Sequence, residues 1–101
     1  EEMDICHRMR QLDKSAVLVP QAKITHYQGV STGVSKTISK EGLISYFYVI
    51  RKNYSYLKYL FIRSYYTITF LLKPKKWFML GLVIRGVPLS ESLKQKQRIR
   101  L

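Results

Sequence analysis

An α/β arrangement is predicted by three observations along this chain. Residues 2–12 carry a helix-spaced apolar stripe, residues 16–19 and 23–27 are short β-branched runs, and residues 39–101 return to helical periodicity. Together they predict one helix, a short β-strand pair, and then three to four mostly amphipathic helices. A chain of 101 residues allows one small domain at most. Composition divides it at about residue 38, with a mixed polar segment before and a basic, aromatic helical extension at 39–101.

The first helix follows from Ile5, Met9 and Leu12 at i, i+4 and i+7, with Cys6 beside them and Arg8 and Arg10 off the stripe. Glu1, Glu2 and Asp4 open it. Acids in a first turn suit the helix dipole, so capping is one reading of them and chemistry is the other. Asp13-Lys14-Ser15 is a turn. Ala16-Val17-Leu18-Val19, ended by Pro20, reads as a buried strand. In residues 23–27, Ile24 is expected inward, Lys23 and Thr25 outward, and His26 on the Ile24 face at the strand's end. An inward histidine is more often a hydrogen-bonded core residue than a ligand. Residues 28–39 are rich in Gly, Ser and Thr and read as a loop. The loop lacks the spacing of a phosphate-binding Walker or dinucleotide loop.

Ser39 is the expected cap of a second helix reaching about Tyr54, with Leu43, Phe47, Ile50 and Tyr54 as its stripe. A third helix is expected over 56–72, with Leu57, Leu60, Phe61, Ile68 and Leu72 on one side, stopped by Pro74. A shorter apolar helix then starts at Lys75-Lys76-Trp77 and ends near Arg85-Gly86. Residues 90–101 read as a basic, weakly amphipathic helix or as disorder.

The formal charge is +12, and residues 42–101 hold about +11 of it: twelve Lys or Arg against Glu91 alone. Such a segment points to phosphate, in nucleic acid or in anionic lipid headgroups. Between Gly42 and Ser90 there are eight Lys or Arg, no acid, and twelve of the thirteen aromatics. Basic residues flanking aromatic-rich helices are the pattern of an interfacial helix. Lys58, Arg63, Lys73, Lys75, Lys76, Trp77 and Arg85 are the expected membrane-surface residues. The uncharged apolar stretches are too short for a span of roughly 20 residues. Cys6 is the only cysteine, which excludes an intrachain disulfide and a Cys-based zinc site. The acidic start carries no signal-peptide pattern, and a first residue other than Met suggests a piece of a longer protein.

The front of the chain also forms one pattern: Glu1-Glu2-x-Asp4-x-Cys6-x-Arg8, a helix, Val19-Pro20, then His26-x-x-Gly29-x-Ser31. It closely resembles the last part of the catalytic domain of family 2 glycosyltransferases, nearest to the bacterial rhamnosyltransferase-like branch. Those commonly read Glu-Asp-x-Asp-Leu-Cys-x-Arg, x-Val-Pro and His-x-x-Gly-x-Ser. The likeness covers about a third of the chain. Glu2 stands where the family usually has Asp, which keeps the carboxylate on a longer side chain.

The resemblance implies the C-terminal part of a GT-A type α/β catalytic domain over residues 1–38. It implies inverting transfer of a sugar, rhamnose by the nearest branch, from a nucleotide-sugar donor to a hydroxyl of a glycan or lipid-linked acceptor in cell-surface polysaccharide synthesis. Such displacement needs a carboxylate to take the acceptor proton. By resemblance that is Glu2, with Glu1 and Asp4 as competitors. A divalent metal, Mn²⁺ or Mg²⁺, is implied to neutralise the leaving diphosphate. His26 is implied as a metal contact, which Mn²⁺ tolerates better than Mg²⁺ does, and Gly29 and Ser31 as the substrate or diphosphate loop. The sequence has no Asp-x-Asp for the metal, so these residues are expected to be inactive by themselves. The implied location is peripheral, on the cytoplasmic face of the bacterial inner membrane, against an anionic surface. The competing readings are a basic nucleic-acid-binding module and a non-catalytic membrane-surface protein. No nucleic acid is expected, because no RNA or DNA motif is present.

Overall fold

The computed structural model describes residues 2–27 and 35–93. The chain forms two compact units, Glu1–Gly33 and Val34–Leu101.

In the first unit, α1 spans Glu2–Gln11, with Glu2 and Asp4 in its first turn and Arg8 and Arg10 in its last. Both sets of charges are placed favourably for the helix dipole. Its C-terminus closes in a Schellman turn. Lys14 N–H reaches the Met9 carbonyl at 2.9 Å and Asp13 N–H reaches that of Arg10 at 3.2 Å. Asp13 takes the left-handed position at φ 54, which a short polar side chain tolerates. Residues 14–27 then run without regular structure, apart from a turn at Pro20-Gln21 in which Ala22 N–H reaches the Val19 carbonyl at 3.1 Å.

The expected strand pair does not form, and the described residues contain no strand at all. The α/β reading, and with it the GT-A type fragment, is overturned: the described fold is all-helical. The reason is burial. A two-stranded ribbon needs a further strand or a helix to cover its apolar face. Here α1 buries no residue of its own, and Leu18 and Ile24 stand 87% and 92% exposed. Ile24 is therefore not inward, and neither is exposed His26.

The second unit packs three helices. α2 spans Lys36–Asn53, α3 spans Tyr56–Leu71, and α4 spans Trp77–Ile84 after a single 3₁₀ turn at Pro74–Lys76. A second 3₁₀ turn follows at Leu89–Glu91. Ser35, not Ser39, caps α2, and its hydroxyl accepts from Ile38 N–H at 3.2 Å. Ser39, a turn later, donates to the Ser35 carbonyl instead. Ser55 caps α3 in the same way, through Lys58 N–H.

Phe47, fully buried, is the centre of the core. Tyr59 meets it edge-on, with ring centroids 5.9 Å apart, and Tyr66 does so at 5.6 Å. Tyr66 in turn meets Phe70 at 5.4 Å. Edge-to-face pairs of this kind add stability beyond the area they bury. From α4 come Met79, Leu82 and Val83, all buried, with Val87 behind them. So α3 buries its aromatic side, Tyr59 and Phe70, and not the aliphatic stripe expected from its periodicity. Leu57, Phe61, Ile68 and Leu72 face outward, each at least 60% exposed. The helix is apolar all round, so spacing alone does not choose the inner side. The rings of α2 choose it.

Candidate functional site

The acidic helix start is the first candidate. Helical geometry turns roughly 100° per residue, so Glu2 and Asp4 diverge to nearly opposite sides of α1. Asp4 shares its side with His7 and Gln11, three and seven positions on. The His7 Nε2 and Gln11 Nε2 lie 3.3 Å apart, within hydrogen-bond distance. Glu2 lies instead toward the side of Ile5, Met9 and Leu12. Ile5 and Leu12 are exposed within this unit. The Glu2 carboxylate is held below the usual carboxylate range, first by a hydrogen bond from its own backbone N–H. It is ionised at neutral pH, as an ordinary carboxylate is, and the lowering makes it a weaker proton acceptor, not a stronger one.

Glu1, Gly29 and Ser31 lie outside the described residues. His26 stands exposed on the extended segment. Among the described residues no three His, Cys, Asp or Glu side chains converge as a metal would need. The donors present among the described residues do not by themselves fit the divalent ion that the resemblance implies. His7, which the sequence reading passed over, sits on the Asp4 side of α1. Its i, i+3 spacing from Asp4 was the available signal.

In the second unit the structure separates the basic residues by role. Arg63 is bound to the end of α4: its Nε donates to the Val83 carbonyl at 2.9 Å, and its Nη2 donates to that of Ile84. Arg51 donates from Nη1 to the Gly86 carbonyl and from Nη2 to the Val87 carbonyl, each at 2.8 Å. The Tyr59 hydroxyl donates to Gly86 as well, at 2.8 Å. Three side chains from α2 and α3 thus satisfy the last carbonyls of α4 and the turn after it, and place two cations at its negative end. No signal in the sequence marks Arg51 for this role.

Arg85 pairs with Glu91 through two hydrogen bonds, of 2.9 and 3.0 Å, which raise the guanidinium above its ordinary value. Glu41 accepts from the Ser92 hydroxyl and from Leu93 N–H. Lys73, Lys75 and Lys76 are exposed around the turn into α4, and Lys58 lies over the Tyr54 ring at 4.3 Å. Trp77 donates its indole N–H to the Leu71 carbonyl at 3.0 Å while its ring stays more than half exposed. No helix among the described residues is long and apolar enough to cross a membrane.

The chain matches no protein-family model, no curated protein and no solved structure.

Proposed function

We propose that residues 1–35 serve the acceptor side of a family 2 type glycosyltransferase site, with Glu2 as the base that takes the proton of the acceptor hydroxyl. The observation that carries this is the joint agreement of residue types and spacing across Glu1-Glu2-x-Asp4-x-Cys6-x-Arg8, Val19-Pro20 and His26-x-x-Gly29-x-Ser31. The start of α1 is compatible with it, although the strand pair of the pattern is absent among the described residues. The acids open a helix, and Glu2 lies toward the exposed apolar stripe of Ile5 and Leu12. An exposed apolar stripe calls for a covering surface. When a catalytic domain covers that side, Glu2 is carried toward the domain and Asp4 away from it.

The reaction is displacement at the anomeric carbon of a nucleotide-sugar. The acceptor oxygen bonds to that carbon, the bond to the diphosphate breaks with its electron pair, and the acceptor proton passes to the Glu2 carboxylate. The donor's nucleotide is then held by residues other than these. Rhamnose is the first sugar to try, and a glycan or lipid-linked hydroxyl the first acceptor. The test is to incubate protein carrying this sequence together with its nucleotide-binding part with a panel of nucleotide-sugars. Acceptor-dependent release of nucleoside diphosphate, with the anomeric configuration inverted in the product, is the expected result. Absence of release with every donor and acceptor in the panel overturns it.

A further inference from the structure

We propose that the outward face of α3, continued by Trp77 and Ile84 of α4, seats on an anionic lipid surface at headgroup depth. This stands whether or not residues 1–35 carry transferase chemistry.

Leu57, Phe61, Tyr65, Ile68 and Leu72 recur at steps of four, four, three and four, and so line one side of α3. They are between 60% and 78% exposed, while the opposite side of the same helix is the core. A helix of this kind is apolar in both directions and calls for cover on both. Ile84 lines a shallow groove with Leu60 and Ile68, and Trp77 is tied to the Leu71 carbonyl. The face therefore extends from α3 to α4 across a groove that Arg63, Ser64 and Thr67 also line.

Three observations say what covers it. The Ser and Thr hydroxyls along α3 are already satisfied from within: Ser64 donates to the Leu60 carbonyl, Thr67 to that of Arg63 and Thr69 to that of Tyr65, at 2.8–2.9 Å. These donors therefore do not need water, and the face can be covered without leaving them unsatisfied. Charge comes second. Lys58 borders the stripe near the start of α3, and exposed Lys73, Lys75 and Lys76 follow its end. No acid lies between Gly42 and Ser90. Glu41 and Glu91, either side of that stretch, are engaged with Ser92 and Leu93 and with Arg85 respectively. A second copy of a +12 chain would bring like charges together at this face, whereas an anionic surface neutralises them. Third, α3 at 16 residues is about 24 Å long, and no described helix can cross a bilayer. The helix lies along the surface, with its aliphatic residues below the headgroups, its lysines among them, and Trp77 between the two. Nucleic acid fits less well, because the exposed rings of Phe61, Tyr65 and Trp77 are interleaved with aliphatic Leu57, Ile68, Leu72 and Ile84, which no base stacks on and no phosphate contacts.

The full 101-residue chain is mixed with vesicles of phosphatidylcholine alone or with phosphatidylglycerol, and emission from Trp77, the sole tryptophan, is followed together with co-sedimentation. Binding with a blue shift on the anionic vesicles, and much weaker binding on the neutral ones, is expected. Substituting Lys73→Gln, Lys75→Gln and Lys76→Gln together lowers binding roughly a hundredfold, at about fivefold for each basic residue near an anionic surface. Phe61→Ser with Ile68→Ser removes the blue shift and most of the binding, while circular dichroism and Tm remain near those of the parent because both positions are exposed. No binding by the parent overturns the proposal. So does undiminished binding by the Phe61→Ser/Ile68→Ser pair, which would place the attraction elsewhere in the chain. A lipid-free self-association that the same pair abolishes, or tighter binding to single-stranded RNA than to anionic vesicles, assigns the face to another partner and equally overturns it.

Discussion

Gly86 and Val87 hold the most constrained backbone of the second unit. Gly86 sits at φ +87, and a Cβ built there would come within 3.0 Å of the Tyr59 hydroxyl, which donates to the Gly86 carbonyl. Val87 adopts φ 52, rare for a β-branched residue. Its complete burial and the Arg51 bond to its carbonyl hold it there. Gly86→Ala should lower stability by about 1–2 kcal/mol from the left-handed backbone alone, with the approach to Tyr59 adding to it. Gly42 is the contrast, since it lies inside α2 with nothing within 4 Å of an added Cβ. Gly42→Ala should stabilise by about 0.5–1 kcal/mol. Thermal or urea unfolding of the two variants checks the opposite signs. The Gly-Pro signal after residue 85 was legible in the sequence as a helix stop. That Val87 would share the left-handed region was not, because tertiary packing alone sustains it.

At the scale of elements, α4 is short, and its end is held by Arg51, Tyr59 and Arg63. Arg63→Ala leaves two α4 carbonyls without their charged donor and should cost about 1.5–3 kcal/mol. Arg85→Ala breaks only an exposed pair with Glu91 and should cost about 0–1 kcal/mol. Equal losses in chemical denaturation would contradict the division of roles among these arginines. Tyr66, between Phe47 and Phe70, has its phenol raised above the ordinary value, first by burial and then by Tyr46 and Tyr65. The unfolded chain then releases this proton more readily than the folded one, so this contribution falls as pH rises from about 10 through the folded value. A Tyr66→Phe variant should lose less stability over that window. The helices α2, α3 and α4 were legible from periodicity, whereas the cap of α2 was expected a turn late, at Ser39, and the Ser55 cap of α3 was missed. The side of α3 that packs was not legible, because apolar residues surround it and the choice falls to the rings of α2. The strand pair misread a β-branched composition as burial, and nothing in the described unit covers it.

For the whole molecule, the acidic front and the basic helical back are separate units. The carboxylates and the histidine of the front were legible as a pattern. The divergence of Glu2 and Asp4 around α1 follows from a helix that starts at Glu2, as the spacing predicts. That divergence makes the central claim sharp, because a base on one side of α1 is not replaced by an acid on the other. The deciding measurement for the proposed transferase reading is the acceptor-dependent transfer rate of protein carrying this sequence with Glu2→Gln beside the same protein with Asp4→Asn, with nucleotide-sugar binding measured for both. Loss of a general base predicts a rate lower by about 10²–10⁴-fold for Glu2→Gln, with donor binding retained, and a much smaller loss for Asp4→Asn. Near-parental turnover by Glu2→Gln, or the larger loss falling on Asp4→Asn, would contradict it.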